Sequence, residues 1–303
     1  PTPASLSALA ARTAAALKQR GSRSVHVGYD DSLFTGSDLP PGWTSRYFTG
    51  TQAVVARVSA LAVDGGRIAP SDPTRSSQPA ERAADRFAEL LEARGIDVRG
   101  APERTDARHG AKELAAIASP PVSSLVERML TRSDNDIAEA LARQVALVRG
   151  KPATFAGGAQ AVVQAIGKLG IDLRGLILND GSGLSHSNAI PPKVLTDVLI
   201  AAGKRPELRA VLSGLPVAGF SGTLWDRAAL SDTNGGAPDL DSAGVVRAKT
   251  GSLNGVSALA GVVTDKDGRL LAFAVLADQV VSRDRAEQAL DRIAAELASC
   301  GCQ

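Results

Sequence analysis

Apolar residues recur at helical spacing from Leu6 to Gly21, and Gly21 is a good C-terminal stop. Ser24–Gly28 then alternates and predicts a short strand. The same succession returns later: Ala80–Gly95 has the helical period and ends in Arg94-Gly95, and Ile96–Gly100 reads as a strand. The stretches ALKQRGSRSVHVG and ELLEARGIDVRG therefore read as two copies of one helix–strand unit in a small α/β domain. Chance likeness of two amphipathic helices is the alternative. Between the copies, Trp43, Tyr47 and a Pro-Pro pair mark a loop-rich stretch, and Val54–Val63 predicts a strand. Ser71–Pro79 is polar and turn-rich and reads as a linker or a shortened insertion.

From about Arg108 the texture changes. Helical periods cover Ser123–Leu130, Asp136–Val148, Phe155–Leu169 and Pro192–Ala202, with a short apolar run, Leu176–Asn179, before a glycine turn. Three strand-length runs follow: Val245–Lys249, Val256–Thr264 and Leu270–Ala277, the last two joined by a turn at Asp265–Gly268. Arg283–Ser299 closes the chain as a long amphipathic helix. Helices, three antiparallel strands and a covering helix make an α+β domain. The expected division is residues 1–107 as a small α/β domain and 108–303 as the larger α+β domain.

Composition narrows the function classes. The chain has 303 residues, 44% apolar and 22% charged, as a globular fold requires. A formal charge of +2 and 3% aromatic content give no basis for binding nucleic acid. No apolar run approaches the roughly 18 residues of a membrane span. The chain opens Pro-Thr-Pro, with neither Met nor a basic, apolar leader, and reads as a mature form or a piece of a longer chain. Cys300 and Cys302 stand either as two thiols on a tail or as a tight disulfide; with one residue between them and no nearby His they make a poor metal site.

Generic catalytic signatures fail. GFSG at Gly219–Gly222 lacks the second spacer of a nucleophile elbow. GSG at Gly181–Gly183 lacks the third glycine of a dinucleotide loop, and there is no Walker A sequence. His26, His109 and His186 have no ligand spacing. Two short motifs remain. Ser133-Asp134-Asn135 stands between two helices, where each of the three could serve as an N-cap. Lys249-Thr250-Gly251-Ser252 stands at the end of a strand, where a plain turn would also account for it. Together they suit acyl transfer without histidine. That chemistry needs an amine, a relay hydroxyl, a positive charge for a carboxylate and backbone N–H donors for an oxyanion.

The stretches LVERMLTRSDNDIAEAL, LILNDGSGLSHSN and VVRAKTGSLNGVSALAGVV resemble those of the class C low-molecular-mass penicillin-binding proteins. These are D-alanyl-D-alanine carboxypeptidases/endopeptidases on a serine β-lactamase/transpeptidase-like fold. The motif order matches, and so does the DGSGLS block. The helix–strand unit with its APERTDA exit resembles that family's inserted accessory domain. The resemblance implies catalytic roles for Ser133, Asn135 and Lys249. It implies substrate binding by Thr250, Gly251 and Ser252, with the Ser252 N–H as an oxyanion donor. Asp180, Ser182 and Ser185 match a block with a structural role. It further implies peptidoglycan stem peptides and β-lactams as partners, no metal or organic cofactor, and export to the bacterial cell envelope.

Two departures stand out. No serine in the chain has a lysine three residues later, so the S-x-x-K nucleophile and base of the family are absent from these 303 residues. The family places that motif upstream of the inserted domain, so it is expected before Pro1, on an N-terminal segment that would also complete the sheet. The family often carries a further insertion between positions matching Val63 and Ala80, and the spacing here is short. The sequence reads as the C-terminal portion of a serine D-Ala-D-Ala carboxypeptidase, inactive alone. The alternatives are a non-catalytic, peptidoglycan-binding or scaffold relative, and a β-lactamase or esterase on the same fold.

Overall fold

The computed structural model describes residues 4–69, 71–107, 110–227 and 242–301. His109 and Cys302 lie outside them, and with Cys302 the question of a terminal disulfide. In chain order the elements are α1 (Leu6–Gln19), β1 (Ser24–Val25), β2 (Gly28–Tyr29), β3 (Arg67–Ala69), β4 (Asp72–Arg75), α2 (Pro79–Glu92), β5 (Asp97–Val98) and β6 (Glu103–Arg104). Then come α3 (Val122–Arg132), α4 (Asn135–Val148), α5 (Phe155–Gly167), α6 (Pro192–Lys204), α7 (Arg209–Ser213), β7 (Val246–Leu253), β8 (Val256–Thr264), β9 (Leu270–Ala277) and α8 (Arg283–Ser299). The fold is α+β, as the sequence pattern implies. The chain forms two compact units: residues 1–121, 138–161 and 180–185 in one, and 122–137, 162–179 and 186–303 in the other.

In the first unit the repeated helix–strand copies lie side by side. α1 and α2 pack together around Ala10, Ala14, Leu17, Leu91 and Ile96. Their strands pair in parallel, Ser24 with Asp97 and Val25 with Val98, and β2 pairs β6 in the same sense. Gly21 and Gly95 both stop their helices in the left-handed region. Two expectations need correction. Val54–Val63 forms no strand: the Val54 and Val55 N–H groups both donate to the Tyr47 carbonyl and the Val58 N–H donates to the Asp38 carbonyl, so the run is tied to loops rather than to a ladder, with Val55 and Ala56 buried. The stretch read as a linker instead carries β4, antiparallel to β3. Its polar residues show no alternation of apolar and polar positions.

The DGSGLS block also sits in this unit. The Glu139 carboxylate, 2% exposed, accepts from the Gly181 and Ser182 N–H groups at 2.8–3.1 Å. Asp180 accepts from Trp43 Nε1 at 2.8 Å and from the Gly183 and Ser185 N–H groups at 2.9 and 2.6 Å. These contacts fix a turn.

The second unit is built on the antiparallel sheet β7-β8-β9. One face packs on α8 through Val246, Ala248, Leu259, Val263, Phe273, Leu290 and Ala294. The other face meets α6 through Leu199, Val262 and Ala272. β7 runs further than the expected Val245–Lys249: Thr250, Gly251 and Ser252 also lie within the strand, and the turn begins only after Leu253.

Candidate active site

β7 presents its residues by the period of two. The Ala248 N–H donates to the Pro216 carbonyl at 2.9 Å, and the Ala218 N–H to the Val246 carbonyl at 3.0 Å, both on the side away from β8. The register is unbroken, so the backbone groups of Thr250 and Ser252 point to that same outer side. Among the described residues, no backbone hydrogen bond reaches Thr250–Leu253 there. The Ser252 N–H thus stands on an open strand edge beside the lysine.

Ser133 is fixed by a helix stop. α3 ends at Arg132, and the Asp134 N–H bonds back to the Met129 carbonyl at 3.0 Å, as in a Schellman motif. That motif puts the residue after the cap in the left-handed region, usually a glycine; here it is Ser133, with φ of 54°. Asp134 Oδ1 then accepts from the Ile137 N–H at 3.1 Å and caps α4. The cap of α4 is therefore made by Asp134, and Asn135 opens the helix as its first residue.

The structure brings Ser133 and Lys249 together, 116 positions apart. Lys249 Nζ donates to Ser133 Oγ at 2.8 Å and to the Thr250 carbonyl at 2.8 Å. Burial holds the ammonium down to about 8. Among the described residues no carboxylate pairs with Lys249. A half-buried cation bonded to one hydroxyl and one carbonyl, with no carboxylate partner among the described residues, suits capture of an anion.

The sequence pattern gives no sign of a second layer. Thr223, in the short 3-10 turn Gly222–Leu224, places its hydroxyl 2.8 Å from that of Thr250. On the α8 side, Ser252 Oγ donates to Glu287 Oε1 at 3.0 Å, and Arg283 Nε donates to the same oxygen at 2.9 Å. Burial pushes Glu287 up, but the bonds from Arg283 and Ser252 and the nearby Arg227 charge hold it below the usual carboxylate value. Arg227 makes a two-pronged contact with Asp291 at 3.0 and 2.8 Å. Thr223 follows the GFSG stretch, which lacks nucleophile-elbow spacing. Gly222, with φ of 60°, has the Thr131 carbonyl where a Cβ would sit.

Among known families, residues 71–298 match the model of the D-Ala-D-Ala carboxypeptidase 3 (S13) family. Carboxypeptidase DacB of Mycolicibacterium smegmatis is 37% identical over 290 residues, covering 94% of this chain and 60% of that protein. The chain thus spans about 60% of the length of that curated relative. Among solved structures, penicillin binding protein 4 (dacB) from Haemophilus influenzae matches the fold with a TM-score of 0.79 at 24% identity, covering 97% of this chain and 79% of that one. The same protein complexed with a β-lactam matches with a TM-score of 0.62 at 30% identity, covering 73% of this chain and 51% of that one.

Proposed function

Because the chain belongs to the D-Ala-D-Ala carboxypeptidase 3 (S13) family, we propose that its β7 edge and Ser133 loop are the substrate-binding half of a serine carboxypeptidase. The substrate class is the C-terminal D-Ala-D-Ala of peptidoglycan stem peptides, met outside the cytoplasm, and β-lactams occupy the same groove. Lys249 and Thr250 hold the terminal carboxylate. Gly251 leaves room for the substrate backbone, and the Ser252 N–H donates to the oxyanion. Ser133 relays a proton to the leaving amine, and the Asn135 amide pairs with the substrate peptide. Residues 1–107 form the accessory domain and 108–303 the penicillin-binding domain.

The nucleophilic serine and its lysine base are not among these 303 residues, since no S-x-x-K occurs. In the complete enzyme that hydroxyl attacks the carbonyl carbon of the penultimate D-Ala. The peptide C–N bond breaks, D-Ala leaves with a proton, and water releases the acyl group. The observation that carries this reading is the Lys249 ammonium, half-buried, bonded to Ser133 and without a carboxylate partner among the described residues. The missing motif favours a second reading, a non-catalytic peptidoglycan-binding relative.

Fluorescent penicillin separates the two. The complete protein is expected to label covalently and the 303-residue chain to stay unlabelled. In the complete protein Lys249→Ala should slow acylation roughly tenfold or more, the loss of one charge-assisted contact. A complete protein that binds stem peptide but never labels supports the non-catalytic reading. Labelling of the 303-residue chain itself would point to one of its own serines.

A further inference from the structure

Carboxylate capture at Thr250 requires its hydroxyl to donate outward, and the surrounding hydroxyls decide whether it can. A hydroxyl has one donor hydrogen and two acceptor lone pairs. Thr250 and Thr223 share one hydrogen bond, 2.8 Å between oxygens, so only one of them donates. If Thr250 donates to Thr223, it offers a ligand carboxylate only lone pairs, and the two repel. If Thr223 donates, the Thr250 hydrogen is left for the ligand, and the chain of hydroxyls polarises in its favour. The other hydroxyl beside Gly251 cannot substitute. Ser252 faces Glu287, an ionised carboxylate that only accepts, so Ser252 must donate there.

The turn carrying Thr223 is fixed on two sides. Val217 bridges to Arg247 on β7. The Val217 N–H donates to Ser221 Oγ at 3.0 Å, and the Gly219 N–H to the Leu224 carbonyl at 2.9 Å. Gly222 sits against the Thr131 carbonyl, two residues before Ser133. One segment thus touches both halves of the candidate site.

We propose that Thr223 is a positioning residue: it donates to Thr250 and turns the Thr250 hydroxyl toward a ligand carboxylate, so that the Thr223–Thr250 pair sets the preference for a free C-terminus. Ser252 contributes its backbone N–H, while its hydroxyl stays with Glu287. This inference rests on the carboxylate-binding role proposed above for Lys249 and Thr250.

The test uses the 303-residue chain, in which binding is read without turnover. An N-acyl-D-alanyl-D-alanine and its C-terminal amide are titrated and followed by NMR. The parent chain is expected to prefer the carboxylate. Thr223→Val should cut that preference about three- to tenfold, the range for one neutral hydrogen bond. Thr223→Ala should do the same with less bulk, and Thr223→Ser should restore it. Thr250→Val should lose at least as much, and adding Thr223→Val to it should change nothing further. Thr223 variants that keep the parent's preference while Thr250→Val loses it overturn the proposal alone. So do additive losses in the double variant. A parent chain that binds both peptides equally, or neither, overturns the carboxylate-binding reading and this inference with it.

Discussion

Lys249 carries a cost in the folded chain that its surroundings do not offset. Burial lowers it from 10.5 to about 8, so at neutral pH the fold holds an ammonium that would rather be in water. Between those two values the unfolded chain binds more protons than the folded one, so stability rises with pH there; below about 8 the full penalty remains. The size is at most about 3 kcal/mol. Lys249→Met keeps the stem and removes the charge. Urea denaturation across pH 7 to 11 should find the variant more stable than its parent at pH 7 by about 1–3 kcal/mol, with the difference closing as pH rises toward 10.5. Parallel profiles would show that Lys249 is well solvated and disqualify it as a poised cation. Ser133 adds to the same imbalance, a non-glycine in the left-handed region costing about 1 kcal/mol. The sequence exposes this pair because each lies in a short motif with a recognisable order. Thr223 and Glu287 leave no such trace, because a hydroxyl met across the fold has no fixed spacing from its partner.

The junction of α3 and α4 divides its labour among three adjacent residues. Ser133 takes the helix stop, Asp134 caps α4, and Asn135 begins the helix proper. Sequence alone leaves all three as candidate caps, since Ser, Asp and Asn cap about equally well. The structure separates them, and so should mutation. Asp134→Ala is expected to lower stability by about 0.5–2 kcal/mol and leave stem-peptide binding near the parent's value. Asn135→Ala should show the reverse, weaker binding with the smaller loss in melting temperature. The opposite pattern would move the substrate amide contact away from Asn135. Elements with strong hydrophobic periods are legible in the amino-acid order itself. β8, β9 and α8 have the bounds that their patterns give, because each has one face on a shared apolar core. Val54–Val63 misleads because an apolar run of strand length can anchor a loop through a few buried residues, here Val55 and Ala56, as well as pair in a sheet. β7 reads too short at its C-terminal end, since Thr250, Gly251 and Ser252 interrupt an apolar pattern that the backbone continues.

At the scale of the whole chain, the three-stranded sheet ends in an apolar edge. β9 reads LLAFAVLA, with no charge, proline or bulge in its register with β8. α6 and α8 pack on its two faces around Ala272 and Phe273, and along its far side it offers a row of backbone groups. Among the described residues no strand pairs with that side. Leu270 at one end is 60% exposed and Leu276 at the other 38%. A long, flat, uncharged edge is a template for another strand, and the outward N–H and C=O groups gain partners only by pairing or by wetting. The 303-residue chain by itself is therefore expected to associate as its concentration rises, and sedimentation should show species larger than one chain. Adding a strand that fills the edge should return it to a single species. Leu270→Lys with Leu276→Lys charges both ends of β9, a device natural edge strands use, and should hold the chain monomeric at concentrations where the parent associates. Hydrogen exchange ties the effect to the edge. The outward amides of β9 should be slow in the associated parent and fast in the charged variant. A parent chain that stays a single species throughout, with those amides exchanging freely, would mean that water alone satisfies the edge and that β9 recruits nothing.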